Sequence, residues 1–280
     1  MICRTLFIFI FNILWVLPSF GSVIREKNIS YVNPSTNERN LLDIYYGESL
    51  SGNKDVIVFI HGGSWKSGKK DIYFWLGRNF ARKNVVAVIV NYRLSPDHQY
   101  EEMADDCAAA LAWTKNNINR YGGNPRRIFV MGHSAGGHLA SLIDLDPRYF
   151  ERQGIVNPIS GVILNDAFGL DMFEYMTNAA QDNYYQSFIK TFTAEEAVWK
   201  KGSPLTYLSN IKSPYLIFTG ERTYPAIQLQ SRRLADSLKA TSHPVTYYEI
   251  RRKKHKAMIT QMIPGGNGLY RQVLEFMTGV

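Results

Sequence analysis

Residues 126 to 143 read RRIFVMGHSAGGHLASLI, and the way this stretch is read decides the fold. A β-rich apolar run, RRIFVM, passes through the five residues Gly132 to Gly136 into a segment patterned as a helix. G-x-S-x-G on its own arises often by chance. Between a strand and a helix it is a specific signal, because the small residues beside Ser134 allow a strained turn that lifts a serine hydroxyl above the sheet. The competing account is a plain strand-to-helix turn with an exposed serine. Read as an elbow, it makes Ser134 the candidate nucleophile.

Outward from the elbow, short apolar runs alternate with helical patterns. Strands are predicted at 41–46, 55–60, 85–90, 126–131, 161–165, 215–220 and 245–250, and helices at 71–83, 101–119, 135–145, 225–240 and 267–278. Alternation of this kind predicts an α/β domain, a mostly parallel central sheet with helices on both faces. Residues 22–280 form one such domain. One segment breaks the rhythm: residues 168–207 are rich in aromatics (Phe173, Tyr175, Tyr184, Tyr185, Phe188, Phe192, Trp199) and too long for a simple connection. A small cap over the carboxyl edge of the sheet, where open α/β sheets bind ligands, accounts for it.

HGGSW, 61 to 65, follows the run DVIVFI. Acyl transfer needs hydrogen-bond donors for the negative charge that develops on a carbonyl oxygen, and consecutive glycines let backbone amides approach it. Gly62 and Gly63, with the amide of Ala135 after the nucleophile, are the expected donors. His61 reads as a brace for this loop. Of the six histidines, only His243 and His255 come late enough for the chain order serine, acid, histidine. His243 precedes the last strand, at its wrong end, whereas His255 follows that strand at the edge where the elbow sits. His255 is therefore the expected general base, flanked by Lys254 and Lys256, whose charges disfavour the imidazolium unless a carboxylate offsets them.

The blocks LDIYY, HGGSWKSGKK, NYRLSP, DDCAAALAW, YGGNPRRIFVMGHSAGGHLA and QSRRLADSLKA resemble the α/β-hydrolase esterases of the hormone-sensitive-lipase-like and acetyl or feruloyl esterase group. Kynurenine formamidases and plant prenylcysteine methylesterases look similar over the same blocks, from about Leu41 to the C-terminus. The resemblance implies an α/β-hydrolase fold and hydrolysis of a carboxylic ester by Ser134 and His255. Two departures stand out. Ser64 replaces a third glycine of the loop, and Thr223, in FTGERTYP (218–225), occupies the position where the family carries its aspartate. Two carboxylates at the same sheet edge can substitute. Glu221 keeps the order and the strand and is preferred; Asp166, at the end of the run GVILN, is the alternative, and the competing account is that Glu221 pairs with Arg222 or Arg252 on the surface and no acid serves.

With 45% hydrophobic and 20% charged residues, the chain is neither disordered nor a polytopic membrane protein. Its net charge of +8 is spread along the sequence except for RRKKHK at 251–256, and no nucleic-acid module accompanies it. Residues 1–21, with Arg4, an apolar run from Leu6 to Leu17 and small residues near Gly21, read as a signal peptide, too short in its apolar run for a spanning helix. The protein is thus expected to be secreted or periplasmic, with no membrane anchor after cleavage. Cys107 is then the one cysteine of the mature chain, placed on a buried helix face. No metal or other cofactor is implied, since no cluster of histidines and carboxylates has ligand spacing. The expected function is an exported serine esterase acting on a small-molecule or carbohydrate ester, possible natural substrates being acetyl or feruloyl esters of plant polysaccharide. The rivals are an arylformamidase-like amide hydrolase and a noncatalytic binding protein on the same fold.

Overall fold

The computed structural model describes residues 22–32, 37–48, 50 and 53–280; residues 1–21, expected to be a signal peptide, lie outside the described residues. The chain order is β1 (Val23–Ser30), β2 (Leu41–Gly47), β3 (Lys54–Ile60), α1 (Phe74–Ala81), β4 (Val86–Val90), α2 (Tyr100–Asn117), β5 (Gly123–His133), α3 (Ala135–Leu145), α4 (Arg148–Arg152) and β6 (Ile159–Asn165). It continues through α5 (Met172–Asn178), α6 (Asn183–Phe192), α7 (Glu196–Lys201), β7 (Tyr215–Gly220), α8 (Pro225–Ala240), β8 (Val245–Ile250), α9 (His255–Thr260) and α10 (Gly268–Thr278).

The eight strands form one sheet in the order β1-β2-β4-β3-β5-β6-β7-β8. From β4 to β8 neighbouring strands are parallel, and β2 joins antiparallel to both β4 and β1. The central strands read as unbroken apolar runs because both of their faces are covered. Val56, Val58 and Ile60 of β3 face one core with α2, α3 and α8, while Ile57 and Phe59 face the other with α1, α9 and α10. The two-residue alternation of a strand thus feeds two separate cores.

Helix starts follow local chemistry. Gln99 and Glu102 form a reciprocal capping box at the head of α2, and Pro225 opens α8, where its missing N–H costs no helical bond. Met103, Cys107, Leu111 and Thr114 of α2 are all buried, so the thiol packs as a small apolar group, and burial holds its pKa up. β1 was not predicted: its central residues Arg25, Glu26 and Lys27 are polar, as suits an edge strand. The parallel strands send the carboxyl ends of β3, β5, β6, β7 and β8 to one edge.

Candidate active site

β5 ends at His133 and α3 begins at Ala135, so Ser134 makes the turn alone, at φ 54° and ψ −123°. A non-glycine residue in such a conformation stores roughly 1–3 kcal/mol of strain. Two glycines make the turn possible. A side chain at Gly132 would run into the carbonyl of Gly136, and one at Gly136 into the carbonyl of Ile60 on the neighbouring strand. The glycines of G-x-S-x-G are therefore required by close backbone approach between elbow, helix and β3.

His255 stands at the first position of α9, after the turn that leaves β8. Its Nε2 lies 2.9 Å from Ser134 Oγ, and its Nδ1 lies 2.7 Å from Asp166 Oδ2. With Nδ1–H donating to the carboxylate, Nε2 presents a lone pair to the serine hydroxyl, the tautomer a general base needs. Ser134 is 7% exposed and the His255 side chain 17%, so substrate can reach both while most water is kept away.

Asp166 directly follows β6 and is fully buried, and a buried carboxylate must have its lone pairs occupied. Its Oδ1 accepts the amide of Gly220 at 2.8 Å, and its Oδ2 accepts both His255 Nδ1–H and the hydroxyl of Thr223. Its own amide donates to Phe218 O at 2.8 Å, which ties the residue to β7.

The structure corrects the preference for Glu221. That residue is exposed, and its Oε2 accepts the backbone amide of Arg252. The chain leaves β7 with Gly220 N–H turned to Asp166 and Glu221 N–H bonded to Ile250 O at 3.0 Å, so side chain 221 is drawn to the turn after β8. Thr223 contributes a hydroxyl to the carboxylate one strand over. The available signal for Asp166 was its place directly after a strand, at the same edge as Ser134.

The glycine loop lies against the nucleophile. A Cβ at Gly62 would come within 3.0 Å of Ser134 Cβ and 2.8 Å of His133 O, so only glycine fits here. Gly63 takes φ 133°, which glycine alone adopts easily, and its carbonyl accepts the amides of Lys66 and Ser67, each at 3.1 Å. Among the described residues, no loop carbonyl accepts the amides of Gly62, Gly63 or Ala135.

Three further histidines brace this frame in the neutral form. His61 is fully buried, its ring stacked 4.4 Å from Tyr92, with Nδ1–H donating to Gly62 O at 2.9 Å and Nε2 accepting from Arg39 Nη2 at 3.3 Å. Burial pushes its pKa down to about 3. His138 donates from Nε2 to Gly202 O at 2.7 Å and accepts Trp65 Nε1–H at 3.3 Å, and burial lowers it to about 4. His133 stacks on His255 with centroids 5.0 Å apart and donates from Nε2 to His255 O at 3.4 Å; burial, then the neighbouring His255, lowers it to about 3. His243 bonds Ser213 O at 2.6 Å and His98 bonds Glu102 at 2.8 Å, neither with a contact to Ser134.

Residues 168–207 fold into α5, α6 and α7 and stand on the glycine loop. Trp65 is wholly buried beneath them, with Phe188 and Phe192 edge-on at 5.6 and 4.9 Å and Phe168 at 6.0 Å. Phe168 N donates to Ser134 O at 3.2 Å, so the segment begins at the elbow itself. Opposite, Tyr224 lies 5.1 Å from the His255 ring and is 55% exposed. Among the described residues, no group of three His, Cys, Asp or Glu side chains is placed to hold a metal ion, and no helix is long and apolar enough to cross a membrane.

Comparison with known proteins adds a lineage. Residues 42–238 match the family model described as BD-FAE. The chain is 27% identical over 254 residues to a probable isoprenylcysteine alpha-carbonyl methylesterase of Arabidopsis thaliana, covering 86% of this chain and 59% of that protein. It is 32% identical over 258 residues to the probable carboxylic ester hydrolase LipM of Mycobacterium tuberculosis, covering 86% and 58%. The chain thus spans little more than half the length of these relatives. Among solved structures, esterase B of Lactobacillus rhamnosis superposes with a TM-score of 0.78 at 21% identity, covering 92% of this chain and 87% of that one. A truncated carbohydrate esterase from gut microbiota gives 0.77 at 19%, covering 94% and 98%. At such identities the likeness is one of fold, the α/β-hydrolase arrangement of sheet, elbow and edge.

Proposed function

Since the chain belongs to the BD-FAE family, we propose that it is a carboxylic ester hydrolase that works through an acyl-enzyme on Ser134. The observation that carries this reading is His255 bridging Ser134 Oγ and Asp166 Oδ2 at 2.9 and 2.7 Å. His255 Nε2 takes the serine proton as Oγ attacks the ester carbonyl, and Asp166 stabilises the imidazolium that forms. The amides of Gly62, Gly63 and Ala135 receive the oxyanion. His255 then returns the proton to the departing alcohol, and a water activated by the same nitrogen releases the acid and restores the serine.

An acetyl or feruloyl ester of a carbohydrate is the substrate we favour. The half-buried Phe168 and Tyr175 rings of the inserted segment and the exposed Tyr224 ring beside His255 offer stacking surfaces for an aryl group or a sugar ring. The place of action is outside the cytoplasm, on the strength of residues 1–21, and a mature N-terminus near Ser22 on the exported protein is the expected outcome of N-terminal sequencing. A noncatalytic role drew its main support from Thr223; with Asp166 bonded to His255 that support is gone.

The test of the activity is hydrolysis of p-nitrophenyl acetate by the mature chain beside Ser134→Ala. Turnover that vanishes in the variant is expected, and a folded wild-type chain with no turnover above buffer would sink the proposal.

A further inference from the structure

Two loops border the His255 side of the site. One runs from Glu221 to Tyr224 after β7 and the other from Arg251 to Lys254 after β8, continuing into α9 at His255 and Lys256. They are knitted together by Glu221 N to Ile250 O at 3.0 Å, Arg222 N to Lys253 O at 2.9 Å, and Arg252 N to the Glu221 carboxylate. This small rim carries six cations: Arg222, Arg251, Arg252, Lys253, Lys254 and Lys256.

Among the described residues none of the six forms an ion pair or stacks on a ring, and Glu221 spends a carboxylate oxygen on a backbone amide. Several arginines elsewhere are held by carboxylates, as Arg93 is by Asp106, Arg127 by Asp55 and Arg233 by Glu174, and what sets the rim apart is six unpaired cations on two adjoining loops. Crowding like charges without partners costs stability by mutual repulsion. The backbone adds a second cost. Lys253 N donates to Ile250 O at 3.3 Å, closing a turn in which Arg252 takes φ 59°, a position where glycine would be cheaper. A charged side chain there, with no ion-pair partner among the described residues, is a local sacrifice of the kind that collects at binding sites.

Position decides what the charge can act on. Lys254 and Lys256 adjoin His255 in sequence, so their ammonium groups stay within about 10 Å of it, no farther than one screening length at moderate salt. Tyr224, at the end of the first loop, holds its exposed ring 5.1 Å from the imidazole. Tyr224 apart, none of the exposed large apolar side chains belongs to these two loops, so the rim lacks the apolar face with which a protein enters a lipid surface.

Resting on the esterase reading above, we propose that this rim is an anion subsite, and that the esters the site selects are carried on an acidic carbohydrate bearing uronate carboxylates. The arginine forks match carboxylates in bidentate fashion, the lysines draw the polyanion in, and Tyr224 offers a face for a sugar ring.

The experiment compares acetate release from O-acetylated polygalacturonate and from O-acetylated neutral glucomannan, as the ratio of their kcat/KM values, in which losses of folded enzyme cancel. At low salt the expected ratio is about ten or more, falling toward one at about 0.5 M NaCl as the charges are screened. The variant Arg251→Glu/Arg252→Glu/Lys254→Glu is expected to bring it to one or below even at low salt. A ratio near one for wild type, or one that survives both salt and charge reversal, overturns the subsite. p-Nitrophenyl acetate separates the failures: its hydrolysis with no preference, or with neither polymer cleaved, removes the anion subsite alone, and its failure in a folded chain removes the esterase reading and the subsite together.

Discussion

Replacing Asp166 by asparagine exchanges one carboxylate oxygen for an NH2 group and should remove nearly all of the activity. Gly220 N–H points at Oδ1 from 2.8 Å, so the new side chain must turn its carbonyl oxygen toward that amide. Its NH2 then faces Thr223 and His255 Nδ1. An NH2 donating to Nδ1 forces the imidazole proton onto Nε2, which now points a hydrogen at Ser134 Oγ and can no longer accept one. A histidine held in the wrong tautomer lowers kcat by about 10⁴, equivalent to about 5 kcal/mol of transition-state stabilisation. Glu221→Gln should cost less than about twofold, because that side chain serves a surface turn. Both variants are to be assayed for p-nitrophenyl acetate hydrolysis as kcat and KM, with thermal unfolding to confirm that each is folded. Glu221→Gln as damaging as Asp166→Asn, or Asp166→Asn retaining more than about a tenth of wild-type kcat, would refute this placement of the acid.

The Thr223 hydroxyl is one of the donors to the same carboxylate. Thr223→Val should cost about 1 kcal/mol, near fivefold in kcat/KM, and Thr223→Asp placed in an Asp166→Ser background should recover activity relative to Asp166→Ser alone. Ser134→Gly should abolish turnover while raising Tm by about 2–4 °C, since it releases roughly 1 kcal/mol of strain at φ 54°; an unchanged or lowered Tm contradicts a strained elbow. Trp65→Ala removes the floor on which α6 stands and should cost about 3–5 kcal/mol by urea unfolding. The buried His61 and His133 titrate at about 3 and His138 at about 4, all below the free value. The unfolded chain therefore binds more protons below about pH 6.5, and these three sites should lower stability by about 4 kcal/mol per pH unit as pH falls from 6 toward 4. A flat urea midpoint across that window would mean that they protonate without unfolding.

How far the structure could be read from the sequence depended on burial. β3, β4, β5 and β7 are apolar on both faces because helices cover both, so their runs stood out as strands, and the periodic faces of α2, α8 and α10 marked those helices to within a few residues. β1 was hidden because an edge strand with Arg25, Glu26 and Lys27 has no apolar alternation to show. Helices α4, α5, α7 and α9 have five to seven residues, too few for a period to establish itself. In the site, Ser134 and the glycine loop were placed by motifs that encode backbone demands local to them, and His255 by chain order and its place after the last strand. The acid was not, since proximity in sequence to β7 favoured Glu221, and the deciding facts were which way Gly220 N–H points and which loop captures side chain 221. Those depend on pairing between β6, β7 and β8, which no short stretch contains.

The most direct test of a serine nucleophile served by His255 and Asp166 is covalent labelling of the folded chain with a fluorophosphonate, followed by peptide mass spectrometry. One adduct per chain on the peptide containing Ser134, absent in Ser134→Ala and formed far more slowly in Asp166→Asn, is the predicted result. A folded chain that takes no label, or takes it at another residue, would contradict the account.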